Sequence, residues 1–141
     1  MTSEYYNNFY KDLAQIDALH NDEFKIQEFT KYFHNNSNVL DVGCGFGSVS
    51  GNLVKKGHEV DGIEINEDAI KVCQEKGIRI INNDLNNIDS IENKYDYILL
   101  LDILEHIMEP AILIEQCSKI LKENGQTYPH IVYYMATQQS E

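Results

Sequence analysis

A short, mostly apolar run, Asn38 to Val42, leads directly into a glycine cluster, Gly43, Gly45, Gly47 and Gly51. This junction constrains the fold more than any other feature of the chain. Glycine lacks a Cβ, so the backbone can turn sharply and approach a ligand closely there. A brief apolar run closed by such a turn reads as a buried strand, and the residues after it as a helix. The helix would turn its amide groups and positive end toward the turn, a setting for a carboxylate or a phosphate.

The remaining sequence repeats this alternation. His58 to Ile65 reads as a second strand. Asn66 can cap the helix after it, with Glu67 and Asp68 in the first turn, Ala69, Ile70 and Cys73 on one face, and Gly77 as its stop. Ile78 to Ile81 is a third strand, and Tyr97 to Leu101 a fourth, apolar throughout as a strand covered on both faces should be. Between them Asn82 to Asn93 reads as a polar loop. Pro110 opens a further helix, with Leu113, Cys117, Ile120 and Leu121 on one face and Asn124-Gly125 at its end. Ahead of the first strand, Asn21 is a candidate cap for a helix carrying Ile26, Phe29 and Phe33. The expectation is an α/β, Rossmann-like fold: a mostly parallel sheet with helices on both faces. Residues 1–20 form a polar segment and 21–141 a single domain.

Charge narrows the function. The 141 residues carry 11 Lys plus Arg against 23 Asp plus Glu, a net charge of −12, with Arg79 the one arginine. Phosphate-backbone binding needs clustered cations, so nucleic acid and anionic membrane surfaces are disfavoured. No apolar run approaches the ~18 residues of a membrane span. Cys44, Cys73 and Cys117 form no CxxC pair, which fits small buried thiols in a reducing cytoplasm better than a zinc site or a disulfide framework. The expectation is a cytoplasmic protein.

Acidic residues mark the strand ends. Glu64 lies 21 residues past Gly43, where a carboxylate can accept both hydroxyls of a ribose. Asp84 follows the third strand, placed to accept from an exocyclic amine or simply to make a turn. Asp41 and Asp102 belong to the first and fourth strands. Open α/β sheets bind ligands at the carboxyl ends of their strands.

In "VLDVGCGFG", "GIEIN", "NNDL" and "YDYILLLDILEHIMEP", taken in order, the chain resembles the class I S-adenosylmethionine-dependent methyltransferases. The third glycine comes one place earlier than in the dinucleotide fingerprint. "LKENG" resembles the end of the helix that follows the fourth strand, and Leu-Glu-His resembles the small-molecule branch. The resemblance runs from about Ser37 to Gly125. It implies that Asp41 and the turn of Gly43, Cys44, Gly45 and Gly47 hold the methionine end of S-adenosylmethionine. Glu64 would take the ribose hydroxyls, and Ile65 would lie against the adenine. Asp84 would accept from the adenine amine and Leu85 contact the ring edge, while Asp102 and Ile103 line the floor near the sulfonium.

His106 has three readings: a general base, a ligand with Asp102 and Glu105 of a divalent cation, or a residue packed behind the cofactor. No metal is assigned, and His106 is the catalytic candidate. No Asn-Pro-Pro-Tyr-like sequence follows the fourth strand, and the Pro-Cys pair of cytosine-C5 enzymes is missing, so a small-molecule oxygen or nitrogen is the expected acceptor. The other readings are a module that binds S-adenosylmethionine or S-adenosylhomocysteine without turnover, and another nucleotide-binding α/β protein. The resemblance also implies a seven-stranded sheet, whereas only residues 126–141 follow Gly125 and leave no room for the last two strands. That shortness predicts an unpaired sheet edge, and with it a homodimer, a strand exchange or poor solubility.

Overall fold

Five parallel strands make one sheet: β1 (Asn38–Val42), β2 (Glu59–Ile63), β3 (Arg79–Asn82), β4 (Tyr97–Leu101) and β5 (Ile131–Tyr134), in the spatial order β3-β2-β1-β4-β5. The computed structural model describes residues 27–28, 30–31, 33–82, 84–101, 103–123 and 130–134. Among the described residues three helices connect the strands: α1 (Ser48–Lys55) after β1, α2 (Glu67–Glu75) after β2 and α3 (Pro110–Lys119) after β4. The strand order turns back on itself at β1 and β4, which makes the crevice above their carboxyl ends the topological switch point.

Side-chain alternation along the strands assigns the helices to faces. Val39, Val60, Ile78 and Leu99 pack with Leu53 of α1 and Cys73 of α2 on one side. Leu40, Val42, Ile63, Ile98 and Leu100 pack with Leu113 and Cys117 of α3 on the other. Val39, Leu40, Ile98, Leu99 and Leu100 are fully buried, as a strand between two helical layers requires. The expected Rossmann-like sheet covered on both faces is therefore the observed fold.

Asn66 caps α2 as expected, its side chain accepting from the Ala69 amide at 2.9 Å, with Gly77 at φ +85° just past the C-cap. Several boundaries differ from the sequence reading, and β3 runs Arg79–Asn82 where Ile78 to Ile81 was expected. The second strand is shorter than His58–Ile65, because Glu64 to Asn66 form a connection above the sheet. The Asn82–Asn93 stretch is not simply a polar loop: a 3-10 turn at Ile88–Ser90 buries Ile88 in the core. α3 stops at Lys119 and not near Asn124-Gly125. Ile120 and Leu121 peel away to bond the loop before β4, with Tyr95 N–H donating to Ile120 O at 2.9 Å and Lys122 N–H to Tyr95 O at 2.8 Å. Gln27, Glu28 and Thr30 are helical, whereas Phe33 lies past that helix and stacks on Tyr97 at 3.7 Å between ring centroids. Asn21, Asp102 and Asn124-Gly125 lie outside the described residues.

One buried carboxylate ties the β2–β3 edge together. Asp61 of β2 accepts from Arg79 Nε and Nη2, both at 2.9 Å, from the Tyr95 hydroxyl at 2.7 Å and from Asn93 at 3.3 Å. A bidentate guanidinium and a phenol satisfy the charge that burial would otherwise penalise. Burial and the adjoining carboxylate push the Tyr95 hydroxyl well above the usual phenol range, so it stays a donor.

Candidate cofactor site

The β1–α1 turn is built by positive-φ glycines: Gly43 (+71°), Gly45 (+56°) and Gly47 (+80°). A Cβ on Gly45 would meet nothing within 4 Å, so the space above it is open. A Cβ on Gly47 would come within 2.6 Å of Ile78 Cδ1, so this glycine lets the start of α1 settle onto the sheet.

The turn's amides are largely committed. Gly43 and Cys44 donate to Ile63 O at 2.8 and 3.1 Å, Gly47 donates to Cys44 O at 3.0 Å, and Gly45 donates to Glu64 Oε1 at 2.8 Å. An anionic group above the turn would instead meet the first-turn amides of α1, which has no side-chain cap and no acidic residue in its first turn.

Glu64 locks this arrangement. Its second oxygen accepts from the amides of Ile65 and Asn66, both at 2.9 Å, so one carboxylate spans the glycine turn and the end of β2. Beside it stand two uncovered apolar side chains, Ile65 at 77% exposure and Phe46 at 55%. Apolar surface next to a fixed carboxylate, over an open glycine, suits a nucleoside with a flat base and a hydroxylated sugar. Phe46 gave no signal in the sequence beyond its place between two glycines.

Asp41 lies beneath the turn and not in its mouth. It is buried in β1 and accepts from the hydroxyl of Ser50, itself fully buried in the first turn of α1. Burial, outweighing the Ser50 hydrogen bond and reinforced by the Glu64 charge, raises its carboxyl from 3.8 to about 6. Asp41 thus joins strand to helix from below. The sequence reading omitted Ser50, whose only signal is its position in the first turn of the helix after the glycines.

Of the remaining predicted residues, Ile103 is buried, with its Cδ1 against Gly43. Asp84 is exposed just past β3 and accepts from the Asn86 amide at 2.9 Å, the geometry of a turn. Leu85 is half-buried against the core and helps line an open groove of about 390 Å³ with Ile107, Met108, Ile112 and Leu113. His106 closes a 3-10 turn at Leu104–His106, with Nε2 3.6 Å from Glu105 Oε1 and its side chain 75% exposed. Asp102, the third residue of that group, is outside the described residues. Among the described residues no cluster of three His, Cys, Asp or Glu could hold a metal ion, and no helix is long and apolar enough to cross a membrane.

Residues 40–128 match the methyltransferase domain family, more than half of the chain. The chain belongs to this family. It is 30% identical over 131 residues to the ubiquinone biosynthesis O-methyltransferase of Hydrogenovibrio crunogenus, covering 86% of this chain and 54% of that protein. The fold is similar to that of a SAM-dependent methyltransferase from Archaeoglobus fulgidus (TM-score 0.62, 26% identity, 80% of this chain and 54% of the other). It is also similar to coclaurine N-methyltransferase, solved with N-methylheliamine and SAH (TM-score 0.67, 17% identity, 74% of this chain and 34% of the other). This methyltransferase chain spans about half the length of the first two proteins.

Proposed function

We propose that this chain forms the cofactor-binding part of an S-adenosylmethionine-dependent methyltransferase acting on an oxygen or nitrogen of a small molecule. The observation that carries the reading is Glu64, fixed at 2.8 Å to the Gly45 amide beside an exposed Ile65 at the carboxyl ends of β1 and β2. The residues present fit the cofactor: open space over Gly45, uncapped α1 amides for the methionine carboxylate, a carboxylate for the ribose and an apolar side chain for the adenine. When bound, the cofactor supplies a methyl group on a sulfonium whose departure as a neutral thioether needs no acid. Alignment of acceptor, methyl and sulfur then accounts for most of the rate.

In this reading Gly43, Cys44, Gly45 and Gly47 shape the cradle for the methionine end, and Asp41 holds the cradle from beneath through Ser50. Glu64 exchanges its bonds to the Ile65 and Asn66 amides for the ribose hydroxyls, while those exposed amides turn to water. Ile65 and Leu85 cover the adenine, Asp84 turns a carboxylate oxygen to its amine, and Ile103 and Asp102 form the floor. His106, exposed and beside Glu105, would take a hydroxyl proton from the acceptor in this reading. The O-methyltransferase relative favours oxygen as the acceptor atom.

The test is transfer of a labelled methyl group from S-adenosylmethionine to phenols, catechols and small amines, with wild type beside His106→Ala. Labelled product, reduced ~100-fold or more in the variant, is expected. Tight cofactor binding with no product from any acceptor would favour a module without turnover. The same proposal takes the protein to be cytoplasmic, without nucleic-acid or membrane partners, and to pair as a homodimer through a sheet edge. Among the described residues β5 has one strand partner, β4. Sedimentation giving the mass of a single chain would count against the dimer.

A further inference from the structure

Cys44 and Cys73 lie 29 positions apart, yet the fold brings their sulfurs to 3.6 Å. Cys44 is the residue between Gly43 and Gly45 in the turn and is partly exposed, whereas Cys73 is buried on α2. The Cys73 thiol also donates to the Gly45 carbonyl at 3.0 Å. Room for the pair comes from Gly62 of β2, where a Cβ would lie 2.8 Å from the Cys44 sulfur. The third cysteine, Cys117, is buried on the opposite face of the sheet.

We infer that Cys44 and Cys73 are a modification site: a dithiol that an oxidant of the peroxide class converts to a disulfide strapping the glycine turn to α2. The loss of cofactor affinity that this should bring rests on the proposed function; formation of the bond does not. A disulfide needs its sulfurs about 2.05 Å apart, so they must close by about 1.5 Å. Movement on that scale is available because Cys44 sits between two positive-φ glycines, and the space over Gly45 is open. Cys44, the accessible thiol, is the one a peroxide reaches. Peroxide converts it to a sulfenic acid with release of one water. The Cys73 sulfur then attacks that sulfur, forms the S–S bond and releases the second water.

Two consequences follow for the turn. The Gly45 carbonyl loses its thiol donor, and the turn shifts toward α2. Both alter the cradle next to the Glu64–Gly45 hydrogen bond. Desolvation and the Asp41 charge hold both thiols above the usual range, so oxidation is slow at neutral pH and accelerates as pH rises.

The experiment treats the full chain with hydrogen peroxide at pH 7 and pH 9, followed by non-reducing peptide mapping and calorimetry with S-adenosylhomocysteine. A peptide linking Cys44 to Cys73, formed faster at pH 9 and reversed by dithiothreitol, is expected. Affinity should fall at least tenfold on oxidation and recover on reduction. Cys117→Ala should form the Cys44–Cys73 link as wild type does, and Cys73→Ser should form no link and leave Cys44 as a sulfenic acid that dimedone traps. A link through Cys117, no link at all, or oxidised protein that binds as tightly as reduced protein would overturn the inference. If the reduced protein fails to bind S-adenosylhomocysteine, the cofactor reading fails, and the peptide map still decides the disulfide.

Discussion

Replacing Asp41 by Asn should stabilise the protein at neutral pH and do almost nothing in acid. Asp41 is buried and its carboxyl is raised from 3.8 to about 6, with burial the largest cause. The folded state therefore holds this proton more tightly than the unfolded chain does. The stability Asp41 contributes is fully present below about 3.8 and is lost as pH rises through about 6. At 1.36 kcal/mol per pKa unit the interval corresponds to about 3 kcal/mol, present as a cost in the wild type above pH 6. Asparagine keeps an oxygen to accept from Ser50 and has no charge to desolvate. The assay is urea denaturation of both proteins from pH 4 to 7.5, read as the difference in unfolding free energy. That difference should grow from near zero at pH 4 to about 2–3 kcal/mol in favour of the variant at pH 7.5. A difference that stays flat across the range would refute the reasoning, because a charge-independent effect has no such slope.

Other outcomes follow from single contacts. Gly47→Ala forces a left-handed φ of +80° on a residue with a Cβ and drives that Cβ to 2.6 Å from Ile78. Thermal unfolding should show a loss of about 2–4 kcal/mol, whereas a neutral result would mean the α1 start can shift freely. Tyr95→Phe removes one of the donors to buried Asp61 while the bidentate Arg79 pair stays, so the loss should be about 1–2 kcal/mol by urea melts. A loss above about 4 kcal/mol would show that the phenol, and not the guanidinium, keeps that carboxylate satisfied.

Local pattern located most of the fold. β4 has the bounds its apolar sequence predicts, because a strand buried on both faces reads as an unbroken apolar run. Asn66 and Pro110 mark their helix starts for equally local reasons, a side-chain acceptor and a missing N–H. The end of α3 was not legible, since Ile120 and Leu121 fit the helical face as well as they fit the loop they bond to. What overrides the pattern there is a tertiary contact with Tyr95, 25 and 26 residues away. The candidate site divides in the same way. The glycine turn and Glu64 were readable from spacing, but the threefold use of the Glu64 carboxylate by backbone amides was not. Asp41 was expected in the mouth of the site and lies beneath it, because alternation along β1 turns its side chain toward α1 and Ser50. The Cys44–Cys73 approach joins residues read as far apart, and only the packing of α2 against the turn reveals it.

The central claim is that the carboxyl end of this sheet holds an S-adenosyl cofactor through Glu64, and calorimetric titration of wild type and Glu64→Ala with S-adenosylhomocysteine tests it most directly. Two ribose hydroxyl bonds to a carboxylate, at about 1.5 kcal/mol each, correspond to a loss on the order of 100-fold. Water can replace the carboxylate at the exposed Ile65 and Asn66 amides, while the part-buried Gly45 amide loses its acceptor, so urea melts should show a stability loss of about 1–2 kcal/mol. One binding site in the wild type and a roughly 100-fold weaker site in the variant is the expected result. Absence of binding in the wild type, or equal affinity in the two proteins, would contradict the account.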